Sequence, residues 1–451
     1  MKAETAIVGG MVATHTAVFP ATVMIAGGRI AALLDPGERP DAEEVIDATG
    51  RLVLPGCVDP HVHFNEPGRT HWEGFGAGTR SAAAGGVTTV IEMPLNAVPP
   101  TTDAAAFALK AAAVTQSAVV DCALWGGLVP GNVDALEGLR EAGVAGYKAF
   151  MADSGTEFAR ADDGVLWEGM KRIAVWGGVV GVHAESNELA LSLRARLEGA
   201  GRRDSRAWGE SRPPEVELGA IQRALLLAGS AGCRLHIVHL SIPQGAARIA
   251  SARARQNVTV ETCPHYLLLD EEAAARLGPV AKCAPPLRPR AAVDGLWREV
   301  ADGTIDCIAS DHSPCPLEEK TRGADDIWAA WGGITGVQTL LPLLVWEGVR
   351  RRGLPLERLV ALTSTNAARI FGLFPRKGSL LPGADADVVL FDYHREWTIS
   401  ADRLLYRHPW TPYLGWRIVG AVDKVLVRGR LVFAEGEVMS PPGSGRLIRP
   451  G

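Results

Sequence analysis

The stretch Leu54-Pro55-Gly56-Cys57-Val58-Asp59-Pro60-His61-Val62-His63 carries an apolar run into a His-x-His pair. Successive side chains of a strand point to opposite faces, so His61 and His63 share one face and form half of a metal site. Asn65-Glu66-Pro67-Gly68 then opens the strand into a loop, where a bound metal could meet a substrate. By itself the pair fits two solvated loop histidines equally well.

Other residues capable of this chemistry also fall at the ends of apolar runs. Lys148 lies in Gly146-Tyr147-Lys148-Ala149-Phe150-Met151, and His183 ends Val179-Val180-Gly181-Val182-His183. His236 and His239 in Leu235-His236-Ile237-Val238-His239-Leu240-Ser241 are three apart and face opposite sides. Asp311 closes Ile305-Asp306-Cys307-Ile308-Ala309-Ser310-Asp311, where a carboxylate is costly unless paired or coordinated. Each has an ordinary structural reading: a hydrogen-bonded packing histidine, a salt-bridged lysine, a loop-capping aspartate. Their coincidence acquires meaning only if the fold gathers several strand ends at one mouth.

The pattern predicts such a fold. Strand-like runs ending near His63, Met93, Gly127, Met151, Glu185, Ser241, His265 and Asp311 alternate with Ala- and Leu-rich helical stretches such as Gly76 to Ala84 and Ala246 to Ala254. Eight alternating units point to an α/β fold, a (β/α)8 TIM barrel with reactive residues at the C-terminal strand ends. A doubly wound open sheet competes, but no Gly-x-Gly-x-x-Gly opens a helix. Short β-type runs before residue 54 and after residue 376 are too few at either end to bury a core alone, so they are expected to join as one small discontinuous β-sandwich. The expected organisation is sandwich over 1–54, barrel over 55–375, sandwich again over 376–440, and a disordered Pro/Gly/Ser tail over 441–451.

With 451 residues, 47% hydrophobic and 22% charged, the chain has the composition of an ordinary soluble enzyme. The net charge of -5 excludes the basic footprint of nucleic-acid or anionic-membrane binding. Seven cysteines without a Cys-x-x-Cys pair read as reduced, buried thiols of a cytoplasmic protein. The N-terminus runs into a short strand rather than a signal sequence, and no apolar run is long enough to span a bilayer.

The ordered motifs resemble those of the cyclic amidohydrolases of the amidohydrolase superfamily, nearest to the allantoinases. The resemblance covers essentially the whole chain and rests on His61-Val62-His63-Phe64-Asn65-Glu66-Pro67-Gly68-Arg69, Glu92-Met93-Pro94-Leu95-Asn96, Gly146-Tyr147-Lys148, His183-Ala184-Glu185, His239-Leu240-Ser241, Glu261-Thr262-Cys263-Pro264-His265-Tyr266, Lys282-Cys283-Ala284-Pro285-Pro286-Leu287-Arg288 and Ser310-Asp311-His312-Ser313-Pro314-Cys315. It implies two divalent metals, with His61, His63 and Asp311 on one, His183 and His239 on the other, and Lys148, carboxylated by carbon dioxide, bridging both. A carbamate on a long stem suits cations about 3.5–4 Å apart. Zinc is the first choice; manganese, cobalt, iron or nickel fit the same donors. His236 is left as a packing histidine.

The implied reaction is hydrolysis of the allantoin ring to allantoate by a metal-bridging hydroxide, with Asp311 shuttling the proton. No serine or cysteine nucleophile is required. A small-molecule substrate and a homotetramer complete what the resemblance implies. Hydantoinase or dihydropyrimidinase and dihydroorotase activities are the alternatives on the same machinery, and a catalytically dead scaffold is the non-enzyme one, disfavoured by the full ligand set. Asn65 stands where dihydroorotases carry an arginine for the substrate carboxylate, so a carboxylate-bearing ring is expected to lack a cationic partner. Asn65, Asn96, Ala284, Gly332 and Gly333 are the expected substrate contacts.

Overall fold

The computed structural model describes residues 3–38 and 40–451. Eight strand positions close a parallel ring. Cys57–Val62 pairs with Val87–Glu92, which pairs with Asp121–Leu124. After a break at Trp125 the third position resumes as Gly126–Gly127, followed by Tyr147–Phe150, Val179–His183, Arg234–Ile237, Val258–Thr262 and Cys307–Ile308. A bridge between Val62 and His312 and the bond from His63 N–H to His312 C=O (2.8 Å) close the ring. Cys57–Val62 and Val87–Glu92 are buried throughout, because helices cover what the barrel interior does not. That is why they read as continuous apolar runs instead of alternating ones.

Local chemistry starts the outer helices. Asp103 caps Ala104–Ser117 through Ala106 N–H (2.8 Å), and Asp162 caps Asp163–Ala174 through Val165 N–H (2.9 Å). The first helix, Gly74–Ala84, needs Gly78, since a Cβ there would run into the ring of Phe64. The close approach seats Phe64 directly after the His-x-His pair.

Both chain ends build a second body. Arg29–Leu34, Thr22–Ala26, Ala3–Val8 and Ala42–Asp47 form one sheet. In the other, Leu52–Pro55 pairs antiparallel with Val388–Thr398, which pairs with Arg417–Val427. Ile7, Val23, Ile25, Val53, Val388, Leu390 and Leu426 fill one apolar core contributed by both ends. Leu52–Pro55 leads across Gly56 straight into Cys57–Val62, so this sheet aims the strand that carries His61.

The expected disorder of 441–451 is not what the structure holds. Cys122 N–H donates to Arg446 C=O (2.9 Å) and Ile448 N–H to Cys122 C=O (2.8 Å), which lays the tail beside the third barrel strand with Ile448 buried. The Pro/Gly/Ser bias of 440–445 masks the β-capable Leu447-Ile448 pair behind it. Removing residues 445–451 should therefore cost about 2–4 kcal/mol of stability, from a buried aliphatic side chain and lost edge hydrogen bonds. Calorimetry reads this as a lower unfolding temperature, and an unchanged transition would show that the tail carries no stabilising contact.

Candidate metal and substrate site

The C-terminal strand ends bring the candidate ligands together. His61 Nε2 lies 3.3 Å and His63 Nε2 3.5 Å from Asp311 Oδ1, and ligand atoms of the three residues all fall within 4.8 Å of one another. His183 Nδ1 and His239 Nε2 face each other at 3.0 Å. The rings of His61 and His239 are 5.4 Å apart, which joins the two groups into one cluster. His239 (φ 41°) and Asp311 (φ 45°) hold left-handed backbone conformations that are unfavourable for such residues. The chain accepts that strain where it turns these two side chains into the mouth.

Buried carboxylates orient the imidazoles. His61 Nδ1–H donates to Glu261 Oε1 at 2.5 Å, and His183 Nε2–H donates to Glu185 Oε2 at 2.8 Å. Each bond fixes the tautomer, leaving the opposite nitrogen with its lone pair toward the cluster. The amide of Asn96 lies 3.3 Å from His63 Nδ1. His236 bonds Thr259 and Glu261 away from the mouth, as its place in the strand predicts.

The electrostatics suit a cation site. Burial lowers the pKa of His63 to about 4, lowers that of His183 and takes that of His239 well below its usual value, so these rings are neutral at pH 7. Burial tends to raise Asp311, but His61, His239 and His63 outweigh it and hold the carboxyl well below the ordinary range. Glu261 likewise falls to about 2, burial being overcome by His61 and His236. Lys148 is buried, its Nζ makes no hydrogen bond, and burial lowers its pKa to about 8 against the pull of Glu261 and Asp311. Its Nζ lies 4.9 Å from the centre of the Phe150 ring, the ring that stacks on His183, and its charge helps to lower the pKa values of His63, His183 and His239. Neutral imidazoles, an ionised carboxylate and an amine without a hydrogen bond among the described residues are a donor set that fits divalent metals. Burial pushes the thiol of Cys263 far up and takes Cys283 and Cys315 to about 12, which removes them as nucleophiles.

A cavity of about 290 Å³ opens over this cluster. Asn96, Ala284, Gly332 and Gly333 line it; Asn65 does not. Asn65 is buried and donates its amide to Pro314 C=O (3.2 Å), so its place in the sequence beside the histidines does not make it a substrate contact. The expectation that a carboxylate would find no cation also fails, because Arg194, Arg212 and Lys282 line the wall. These come from outside the motifs read for ligands, and only the Lys282-Cys283-Ala284 motif pointed to any of them. Phe150 stacks on His183 with ring centres 4.4 Å apart and an interplanar angle of 12°. Glu261 and Glu185 were also findable: each is a carboxylate at the end of an apolar strand, the signal that singled out Asp311.

Residues 52–432 match the Amidohydrolase family. The chain belongs to the amidohydrolase family. Among family members, it is 52% identical to a protein named allantoinase from Rubrobacter xylanophilus over 95% of this chain and 94% of that one. It is 47% identical to an allantoinase from Solibacter usitatus, covering 99% and 97%. Of solved amidohydrolase structures, L-hydantoinase (dihydropyrimidinase) from Arthrobacter aurescens superposes with a TM-score of 0.97 at 36% identity, covering 99% of both chains. Dihydropyrimidinase from Brevibacillus agri superposes at 0.92 with 33% identity, covering 99% and 98%. The barrel and its accompanying sheets are thus those of this family.

Glu261→Ala removes the acceptor that sets the tautomer of His61 while leaving both imidazoles in place. Metal affinity, read by competition with a chromogenic chelator, should weaken about 10–100-fold. Unchanged affinity would show that His61 does not depend on Glu261.

Proposed function

We propose that this protein hydrolyses the ring amide of allantoin to allantoate, with two divalent metals held by His61, His63 and Asp311 on one side and His183 and His239 on the other, and Lys148 bridging them as its carbamate. The observation that carries the reading is Lys148. An ammonium buried without a hydrogen bond is costly, and carboxylation of the neutral amine converts that liability into an anion between cations. The relatives named allantoinase, similar over nearly the whole chain, favour the allantoin ring. The hydantoinase and dihydropyrimidinase structures support the second reading, a related cyclic amide.

The metals would supply Lewis-acid activation of water and of the ring carbonyl. Asp311 accepts the proton of the attacking water and returns it to the ring nitrogen as the carbon–nitrogen bond breaks. Among the described residues Ala284 and Gly332 make no hydrogen bond, which leaves their backbone groups free for the ring amide. Lys320 steadies that wall by donating to the carbonyls of Trp331 (2.9 Å) and Gly333 (2.5 Å). Phe150 keeps His183 flat against its strand end. The seven cysteines are free and buried, consistent with work in the cytoplasm. Outer-helix residues Trp167, Val175 and Leu226 are exposed apolar surface available to the other subunits of a homotetramer.

Steady-state assays on allantoin, hydantoin, dihydrouracil and dihydroorotate test the ring assignment, with allantoin expected to turn over fastest; a faster rate on another ring would replace it. Lys148→Ala should be inactive and metal-poor, and short carboxylic acids added to the medium should restore part of both. Full activity without additive would mean that the lysine bridges nothing. Asp311→Asn should lose about 10²–10⁴ in rate, the scale of a missing general base. Near-normal turnover would move the proton transfer to another group, with His312 and His265 the next buried imidazoles along the chain.

A further inference from the structure

Beside Lys148, Arg212 is the cation of the cavity wall that its surroundings leave unsatisfied. Its side chain is 13% exposed, and its guanidinium makes no hydrogen bond among the described residues. It stacks on Trp208 with Cζ 4.0 Å from the ring centre, and Trp208 is pinned by its Nε1–H to Cys283 C=O (2.7 Å). Glu185 Oε1 lies 3.7 Å from Arg212 Nε, close enough to balance charge but too far to use the donor. The Nε donor is buried with no acceptor in hydrogen-bond reach, which is expensive, and the side chain lines a cavity of ligand size.

The direction of the side chains says which part of a ligand Arg212 meets. His183 turns Nδ1 toward His239 and Nε2 toward Glu185, and Arg212 lies on the other oxygen of Glu185, so the His183 ring and the Glu185 carboxylate separate Arg212 from the ligand nitrogens. The reacting amide belongs at the ligand nitrogens; what reaches Arg212 is a substituent of the ring. Building on the function proposed above, we propose that Arg212 forms the subsite for the exocyclic arm of the ring, donating N–H groups to a planar carbonyl-type oxygen. In allantoin that oxygen is the ureido carbonyl. The planar fork of an arginine suits such an acceptor, and the Trp208 face holds the fork in one plane.

A ring without an arm does not reach Arg212, so losing the guanidinium costs it little, and the subsite predicts a difference between substrates. Arg212→Met should lower kcat/KM about 30–100-fold on allantoin and on 5-carboxymethylhydantoin, and less than about threefold on unsubstituted hydantoin. Metal per chain, measured by elemental analysis, should not change. Arg212→Lys keeps the charge beside Glu185 but loses the fork, and should cost about tenfold or more on the armed rings alone; it serves as the folded control if Arg212→Met is unstable. Equal losses on armed and armless rings, or a fall in metal content, would show that Arg212 acts through Glu185 on His183 and would overturn the subsite, as would unaltered turnover of both armed rings. A wild-type enzyme inert on allantoin but active on hydantoin overturns the function proposed above, whereas the subsite is then still judged by metal content and by the responses of 5-carboxymethylhydantoin and hydantoin to Arg212→Met.

Discussion

Charge taken out of water at the barrel mouth is the constraint on which the remainder of the structure depends. Lys148, Asp311, Glu261 and Glu185 are all buried within reach of four imidazoles, and none would be tolerated there without a partner. Glu261 finds its partners in His61 and His236, Glu185 in Arg212 and His183, and Asp311 lies beside His61, His63 and His239. These neighbours hold the three carboxyls ionised despite burial, and burial in turn keeps His63, His183 and His239 neutral. Proton positions that an unanchored cluster would leave to chance are thereby settled in advance. Lys148 Nζ has no hydrogen-bond acceptor among the described residues; it lies 4.9 Å from the centre of the Phe150 ring.

Holding such a cluster requires rigid backbone, and the fold supplies it by indirect means. The sheet built from both chain ends fixes Leu52–Pro55, and the barrel strand bearing His61 follows after a single glycine. Where the two bodies meet, Lys377 is bonded to Asp121 (2.5 Å) and Asp387 (2.8 Å), so the third barrel strand, the late sheet and the tail share one buried ionic joint. The left-handed backbone at His239 and Asp311 is affordable only against a frame of this kind, because strain of that sort persists where neighbouring packing over-determines it.

What could be read from the sequence follows from the range of the forces involved. Strand position and side-chain alternation are local, so the barrel, the joining of the two ends and the gathering of His61, His63, His183, His239 and Asp311 at the mouth were legible, whereas Lys148, read as following the fourth strand, is the second residue inside Tyr147–Phe150. The strand ends observed differ by a few residues from those read, as at Ile237 and Ile308, because hydrogen bonding stops before the apolar run does. One error came from letting sequence proximity stand for spatial proximity. Asn65 is two residues from His63 yet turns to Pro314, its φ of 63° carrying the side chain out of the cavity wall. Composition also misled at the tail, where pairing with Cys122 is a long-range contact that no window of residues 440–451 contains.

Arg212 shows the same limit from the other side. In the sequence it is one of many arginines, next to prolines at the start of a helix, and nothing local marks it. Its meaning comes from its surroundings in space: Trp208 gives it a flat support, Glu185 balances its charge from 3.7 Å, and the side chain lines the cavity. The same wall revises the electrostatic argument about substrates. A pocket lined by Arg194, Arg212 and Lys282 does not reject a negatively charged arm for want of a cation. Discrimination between rings must then rest on shape and on hydrogen-bond geometry: whether the arm places an oxygen in the plane of the Arg212 fork while the ring amide stays at His183 and His239. A carboxylate attached directly to the ring and a carbonyl set farther out on an arm differ in reach, and reach is what a guanidinium held against Trp208 measures.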